Sequence, residues 1–465
     1  MKKLLQFCIG PVSGAAISFI MIPLTTHFLL PEELGRASMF YLVQVIFQVV
    51  CLGLDQAYTR EFHVEENKKN LLLNAIWLPF TLSIGIFIFF ALNASFLSRI
   101  LFDYDYYRLA IWLLGVSGIT LVLESFILIK IRMEEKALEY SFYIFVIKMS
   151  VAVLTLIFIV FIRTDFLAIV YATIIGQLIT RLILFFRYRK MFTISGFKID
   201  KQLSRRMFLF GMPLVISFLF SSLLKISSNI ALRFFSDFEQ LGLFSAGSKV
   251  TNLLLVVQTA FALFWTPTAY KWFKENRNID DYQLISEAVL AFMSIGFVVL
   301  LLSRPLIRIL ISEQFNEAQY FISFLSFYPI MHTLTSTTTL GINFSRKSYL
   351  KIFGDAISLL INIMLNILLI PRFGALGAAL AVALSYTVYF LVFTFISFSV
   401  WKSFSIKKHL LVISLMLFLC FFDTVYPNYA IFAKLGALIL FLVIHQFVIK
   451  MMIRAGFTWK KETIK

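Results

Sequence analysis

Residues 211–235 read GMPLVISFLFSSLLKISSNIALRFF, an apolar stretch long enough to cross a bilayer with one lysine, Lys225, well inside it. On a helix of ~3.6 residues per turn, Ser217, Ser221, Ser222, Lys225, Ser228 and Asn229 fall on one side, with Leu, Ile and Phe on the other. After a short link, SDFEQLG, the chain turns back as LFSAGSKVTNLLLVVQTAFALFW, which sets Ser245, Ser248, Lys249 and Asn252 on one face. At ~1.5 Å per residue, Lys225 lies roughly 12 Å along the helix from Arg233, and Lys249 roughly 9 Å from Leu243. The two ammonium groups are therefore expected at similar depth. A lysine near the middle of a spanning helix costs about 2.5–3.5 kcal/mol on insertion scales, so it faces water or an anionic partner. The pair predicts a cationic, water-filled cavity. The alternative is that each lysine pairs with a carboxylate on a neighbouring helix.

The rest of the chain is of the same kind. Of its 465 residues 60% are hydrophobic and 14% charged, with a mean hydropathy of +0.88, so the chain is a polytopic membrane protein. We expect an all-α fold of about fourteen transmembrane helices, which at ~20 residues each leave room for short loops and tails only. The first fifteen residues resemble a signal peptide, but the apolar stretch continues to Leu30 and reads as the first span. Later spans are expected at about 39–60, 319–344, 350–371, 376–400 and 429–450, among others. Pro23, Pro79, Pro213, Pro267 and Pro329 lie within spans and predict kinks. Cys8, Cys51 and Cys420 all sit in apolar surroundings and suggest neither a disulfide framework nor a metal site.

A net charge of +17 would suggest a nucleic-acid partner in a soluble protein. Here the charges follow topology instead. With a cytoplasmic N-terminus, basic groups beginning at Lys2, Arg60, Lys130, Arg187, Lys271, Arg346, Lys402 and Lys450 all fall on the inner side, and they hold most of the 42 Lys and Arg. The outer side carries scattered residues such as Arg36, Arg99, Arg163, Arg233 and Arg372. That asymmetry satisfies the positive-inside rule, puts both termini in the cytoplasm and requires an even number of spans.

The longest connection, RYRKMFTISGFKIDKQLSRR, divides the spans. EELGRAS (32–38) matches EQLGLFS (239–245) at four of seven positions, 207 residues apart. RTDFLAIVYA (163–172) echoes RFGALGAALA (372–381) at a similar offset. Two six-helix lobes in parallel pseudo-symmetric repeat follow: residues 1–190, a basic cytoplasmic linker at 191–206, then 207–401. Residues 402–465 form an appended helix pair and a cytoplasmic tail.

Polar stripes recur on other spans: Gln44, Gln48, Asp55 and Thr59; Ser117, Thr120 and Glu124; Asp355, Ser358, Asn362 and Asn366; and HTLTSTTTLGIN from His332 to Asn343. Each stripe taken singly reads equally as interhelical hydrogen bonding. Their recurrence in both halves points to a shared polar interior, with Asp55, Asp355 and Asn362 as candidate lining or coupling groups. Glu124 and Lys148 are expected at similar depth on adjacent spans, as a structural ion pair, with a proton or sodium site as the other reading. Arg181 is placed to snorkel to the inner interface. Apart from such H⁺ or Na⁺ coupling, no cofactor is expected. Signs of catalysis are sparse: Asp103-Tyr104-Asp105 has the spacing of sugar-nucleotide transferases but falls on an outer loop, where nucleotide sugars are not supplied.

Four segments carry a resemblance: PEELGRASMF (31–40), GLDQAYTREF (53–62), GMP (211–213) and LLIPRFGALGAALAVALSY (368–386). The chain resembles the Wzx-type polysaccharide flippases of the multidrug/oligosaccharidyl-lipid/polysaccharide exporter superfamily. The likeness extends over essentially the whole chain, and the IPxxGxxGAA segment is its most specific part. It implies two six-helix lobes around a central cavity, and a substrate of undecaprenyl-pyrophosphate-linked oligosaccharide moved by alternating access across a bacterial cytoplasmic membrane. It implies membrane lipid and the pathway's polymerase and glycosyltransferases as partners. Lys225 and Lys249 fit the basic cavity such proteins carry. A lipid-linked peptidoglycan precursor flippase would share fold and headgroup chemistry. A cation-coupled multidrug exporter should have a mainly acidic cavity, and a membrane polysaccharide polymerase or ligase should show a long outer loop with catalytic residues. Neither feature is present in the sequence.

Overall fold

A computed structural model describes residues 2–51, 53–62, 64–192, 200–345, 347, 349–426, 429–448 and 450. Among these every regular element is helical, as a chain without water to satisfy its backbone requires. Contacts divide the chain into two compact units, Met1–Ser245 and Ala246–Lys465.

The first unit runs through α1 (Lys2–Phe28), α2 (Pro31–Phe47), α3 (Leu54–Glu61), α4 (Lys68–Leu92), α5 (Ala94–Phe102), α6 (Arg108–Met133), α7 (Ala137–Phe161), α8 (Phe166–Tyr188) and α9 (Lys201–Phe235), and ends inside α10 (Phe238–Thr251). The expected second span is broken: a short 3₁₀ turn follows α2, and Gly53, at φ 64°, starts α3 in the left-handed region that glycine tolerates best. Helix α1 lies along α7, α7 along α8, and α4 along α6. Helix α9 packs against α2, α3 and α4. Of the expected linker at 191–206, residues 193–199 lie outside the described residues.

The second unit continues with α11 (Leu254–Lys274), bent by 46° from α10, then α12 (Ile279–Leu302) and α13 (Arg304–Leu310). Three short helices follow, α14 (Ile322–Leu325), α15 (Phe327–Thr338) and α16 (Leu340–Ser345). Helix α17 (Tyr349–Val400) is a hairpin in all but name. It folds back at Gly374, whose φ of 52° and ψ of −128° lie where only glycine is at ease. Asn362 then meets Ser385, and Gly354 the Phe393 ring, across the two arms. A Cβ at Gly377 would overlap the Leu369 carbonyl, so the IPxxGxxGAA segment is the apex of this turn. Helices α18 (Lys407–Val425) and α19 (Ala430–Ile444) pack on α12.

Among the described residues ten helices are long and apolar enough to cross a membrane, or eleven if the bent α10–α11 pair is one span. The difference from about fourteen lies in three places. Helix α17 counts once although its arms coincide with two expected spans; the tenth expected span is divided among α14, α15 and α16; and α19 has only 15 residues. Threonines explain part of the second break. The Thr333, Thr335 and Thr339 hydroxyls bond back to carbonyls four residues earlier, which loosens the helical ladder and bends it.

Candidate functional site

Lys225 sits deep in the 35-residue helix α9. Its neighbours Leu224, Ile226, Ser227 and Ser228 are buried, yet Lys225 itself is exposed. The polar side read from the sequence therefore divides: Ser222 and Ser228 enter the packing, Ser217, Ser221 and Asn229 are half-buried, and the lysine stands clear.

Two clasps hold α9 on either side of it. At one end, Gly53 lies against Gly211, and a Cβ at Gly53 would come within 2.6 Å of the Gly211 carbonyl oxygen. Arg60 covers the Phe210 ring at 4.5 Å, Arg206 pairs with Glu61 at 3.5 Å and with Glu65, and Asn74 Oδ1 accepts from the Asp200 amide at 3.0 Å. At the other end, Arg233 pairs with Asp103, donates to the Ile100 carbonyl at 3.1 Å and covers the Phe238 ring at 4.6 Å. Arg36, held by Glu32 at 2.6 Å and Glu33 at 2.5 Å, covers the same ring at 5.1 Å. A Cβ at Gly35 would overlap the Phe238 carbonyl, and one at Gly242 would overlap that of Pro31. The echoed segments EELGRAS and EQLGLFS thus meet through their own glycines. The Asp103-Tyr104-Asp105 carboxylates are occupied as well, Asp103 by Arg233 and Asp105 by Arg99 at 3.7 Å.

Lys249 lies in the second unit, half-buried on α10, one turn before the break that precedes α11. The stripes resolve differently. Glu124 pairs with Arg181 at 2.5 Å, which corrects the expected pairing with Lys148 and the expected snorkelling of Arg181. Arg181, 6% exposed, also donates to the Ser117 carbonyl at 3.0 Å and to Thr120 Oγ1 at 3.0 Å. Gln44 donates to Ser117 Oγ and to Gln177 Oε1, both at 3.2 Å. Helices α2, α6 and α8 are therefore joined by one polar network. A buried guanidinium takes the nearest carboxylate because leaving it unpaired costs several kcal/mol, on the order of 3–5. Lys148 is exposed on α7, its stem laid over Gly14 of α1, where a Cβ would come within 3.1 Å of Cγ.

Asp55 is half-buried on α3, accepting from Gln56 Nε2 at 3.0 Å. Asp355 and Asn362 are fully buried in the α17 hairpin. Asn362 donates to Ser385 Oγ at 2.8 Å and accepts from Asn366 at 2.7 Å, so this stripe joins the two arms of the hairpin. Thr338 and Thr394 meet at 2.7 Å, and Ser397 Oγ accepts from the Gly341 amide at 2.9 Å, which places the tenth-span threonines in packing too. Sequence reasoning missed the clasps and Arg181. The i, i+4 spacing of Thr173, Gln177 and Arg181 is the signal that would have found the latter.

These helices form a multi-pass membrane fold. The fold is similar to that of a lipid II flippase, MurJ, in an inward closed conformation, with a TM-score of 0.72 over 96% of this chain and 100% of that one at 15% identity. It is also similar to an inward-facing multidrug resistance MATE family transporter of the MOP superfamily, with a TM-score of 0.67 over 84% of this chain and 96% of that one at 17% identity. At such identities the likeness is one of fold. Residues 2–273 match the family described as polysaccharide biosynthesis protein, and the chain belongs to that family. A stretch of 154 residues is 25% identical to the probable low-salt glycan biosynthesis flippase Agl15 of Haloferax volcanii, a match spanning about a third of each chain (32% and 33%). The resemblance read from the sequence holds at the level of the polysaccharide biosynthesis family, and the likeness to the solved structures is one of fold. The chain is a multi-pass membrane protein.

Proposed function

We infer that the protein is a flippase that carries undecaprenyl-pyrophosphate-linked oligosaccharide across a bacterial cytoplasmic membrane by alternating access, for surface polysaccharide synthesis. The observation that carries this reading is Lys225, exposed in the middle of α9 between two clasps, in a chain of the polysaccharide biosynthesis family. A pyrophosphate headgroup is anionic and a glycan is bulky and polar, so a hydrated cationic cavity offsets what they lose on leaving water. Lys225 and Lys249 hold the headgroup, while the polyprenyl tail stays in lipid. Glu124, Lys148, Asp55, Asp355 and Asn362 are the candidates for lining the cavity or for coupling, and the pathway's polymerase and glycosyltransferases are the partners. Both termini face the cytoplasm.

Lys225→Ala and Lys249→Ala should reach the membrane at normal abundance, since removing a charge from within an apolar span relieves an insertion cost of about 2.5–3.5 kcal/mol. Export of polysaccharide should fall, with lipid-linked oligosaccharide collecting on the inner leaflet. Lys→Arg should retain more activity than Lys→Gln, and Lys→Glu least. Full export by a well-expressed double alanine variant would end the cationic-cavity reading. A lipid-linked peptidoglycan precursor is the second substrate candidate, on the fold likeness to MurJ. Rescue of a strain depleted of its own peptidoglycan-precursor flippase would favour it.

A further inference from the structure

The first unit has a second basic site, apart from Lys225. Where α3 ends, α4 begins, α6 ends and the turn after α8 closes, a cavity of about 260 Å³ is lined by Tyr58, Lys68, Lys69, Leu72, Lys130, Lys190 and Met191. Tyr58, Leu72 and Met191 are buried and make its floor. Lys68 and Lys130 are half-buried in its wall, and Lys69 and Lys190 stand exposed at its rim.

Four ammonium groups share this cavity, and among the described residues no carboxylate lines it. Each of the four lysines also has a local interaction. Lys68 Nζ donates to the Phe62 carbonyl, and to that of Glu65 at 2.6 Å. Lys130 Nζ lies 3.5 Å from Glu134 and over the Tyr188 ring. Glu134 is shared with Lys136 at 2.8 Å, so one carboxylate serves two lysines. The first turn of α4 adds its own backbone amides and the positive end of its dipole. The position matters as much as the charge. Three apolar spans (Lys68–Leu92, Arg108–Met133 and Phe166–Phe192) begin or end here, so the cavity lies where a bilayer's apolar core gives way to phosphate headgroups.

We propose that this four-lysine cavity is a binding site for a phosphate-bearing anion at the membrane interface, distinct from the site at Lys225. The floor accepts the apolar neighbourhood of a headgroup, and the lysines act as point charges around its phosphate. The binding does not depend on what the protein transports.

The test uses the full-length protein in nanodiscs and the rim variant Lys69→Gln/Lys190→Gln, because both side chains are exposed and the wall stays intact. A matched variant, Lys271→Gln/Lys274→Gln, removes two exposed lysines at the end of α11. One arm measures retained phosphatidylglycerol by native mass spectrometry from mixed phosphatidylglycerol/phosphatidylcholine discs. The other titrates inorganic pyrophosphate in phosphatidylcholine discs. Each interfacial lysine contributes about a fivefold gain, so the rim variant should bind roughly thirtyfold more weakly than wild type while the matched variant binds normally. Loss in the lipid arm alone makes a phospholipid headgroup the source. Loss in the pyrophosphate arm alone makes it a free or lipid-linked diphosphate. Equal binding by wild type and the rim variant in both arms, or an equal loss in the matched variant, overturns the site.

Discussion

Arg181 shows how one side chain organises its surroundings. Its guanidinium takes Glu124, Ser117 and Thr120 from α6, and Gln44 and Gln177 extend the network to α2 and α8. Breaking a buried ion pair from one side leaves an uncompensated charge, at a cost of about 3–5 kcal/mol. Glu124→Gln and Arg181→Gln should each lower the thermal midpoint of the detergent-solubilised protein. The double variant should lose less than the sum of the two. Lys148→Gln should leave the midpoint unchanged, and a Glu124/Lys148 cycle should be additive. Additivity between Glu124 and Arg181 would argue against the pair. The sequence shows half of this network: Ser117, Thr120 and Glu124 recur at helical spacing. Arg181 is harder to read, because an arginine near a span end has two outlets, the interface and a buried carboxylate. Only the fold decides which lies nearer.

At the scale of elements, the segments most alike to the flippases are places where two backbones meet. Gly53 of GLDQAYTREF lies on Gly211 of GMP, Gly35 of PEELGRASMF lies on Phe238, and Gly374 turns the IPRFGALGAA apex. These are demands on backbone shape. Gly374→Ala should cost about 1–3 kcal/mol in strain, visible as a lower thermal midpoint. Gly35→Ala should prise α2 from the α9–α10 turn. Backbone amides at 236–242 should then exchange about tenfold faster, a loss of roughly 1.4 kcal/mol in local protection. Unchanged exchange there would contradict the close contact. The helices themselves are legible, since apolar length and the burial of backbone polar groups leave no other choice. The interruptions are less so. Threonine back-bonding in α15 and the bend between α10 and α11 leave no mark in apolar length, which is all that the span pattern reads.

For the molecule as a whole, composition alone fixes the membrane class, and the uneven spread of Lys and Arg predicts an orientation. Reporter fusions at Gly196 and Lys465, both outside the described residues, should give a cytoplasmic signal. An external signal from either would overturn that topology. The internal echo of 207 residues is legible too, though its meaning is not. From sequence it marks a repeat; in the folded chain the two copies touch.

That touch has the form of a dimer interface. Gly35 meets Phe238 and Gly242 meets Pro31, and the 207-residue offset carries Pro31 onto Phe238 and Gly35 onto Gly242. Each copy thus offers the same patch to the other, as two identical subunits do across a twofold axis. An isologous contact of this kind is self-complementary: each side brings a glycine to the backbone of the other. The chain keeps the symmetry where the packing is tightest and departs from it beside, with arginine at 36 and leucine at 243.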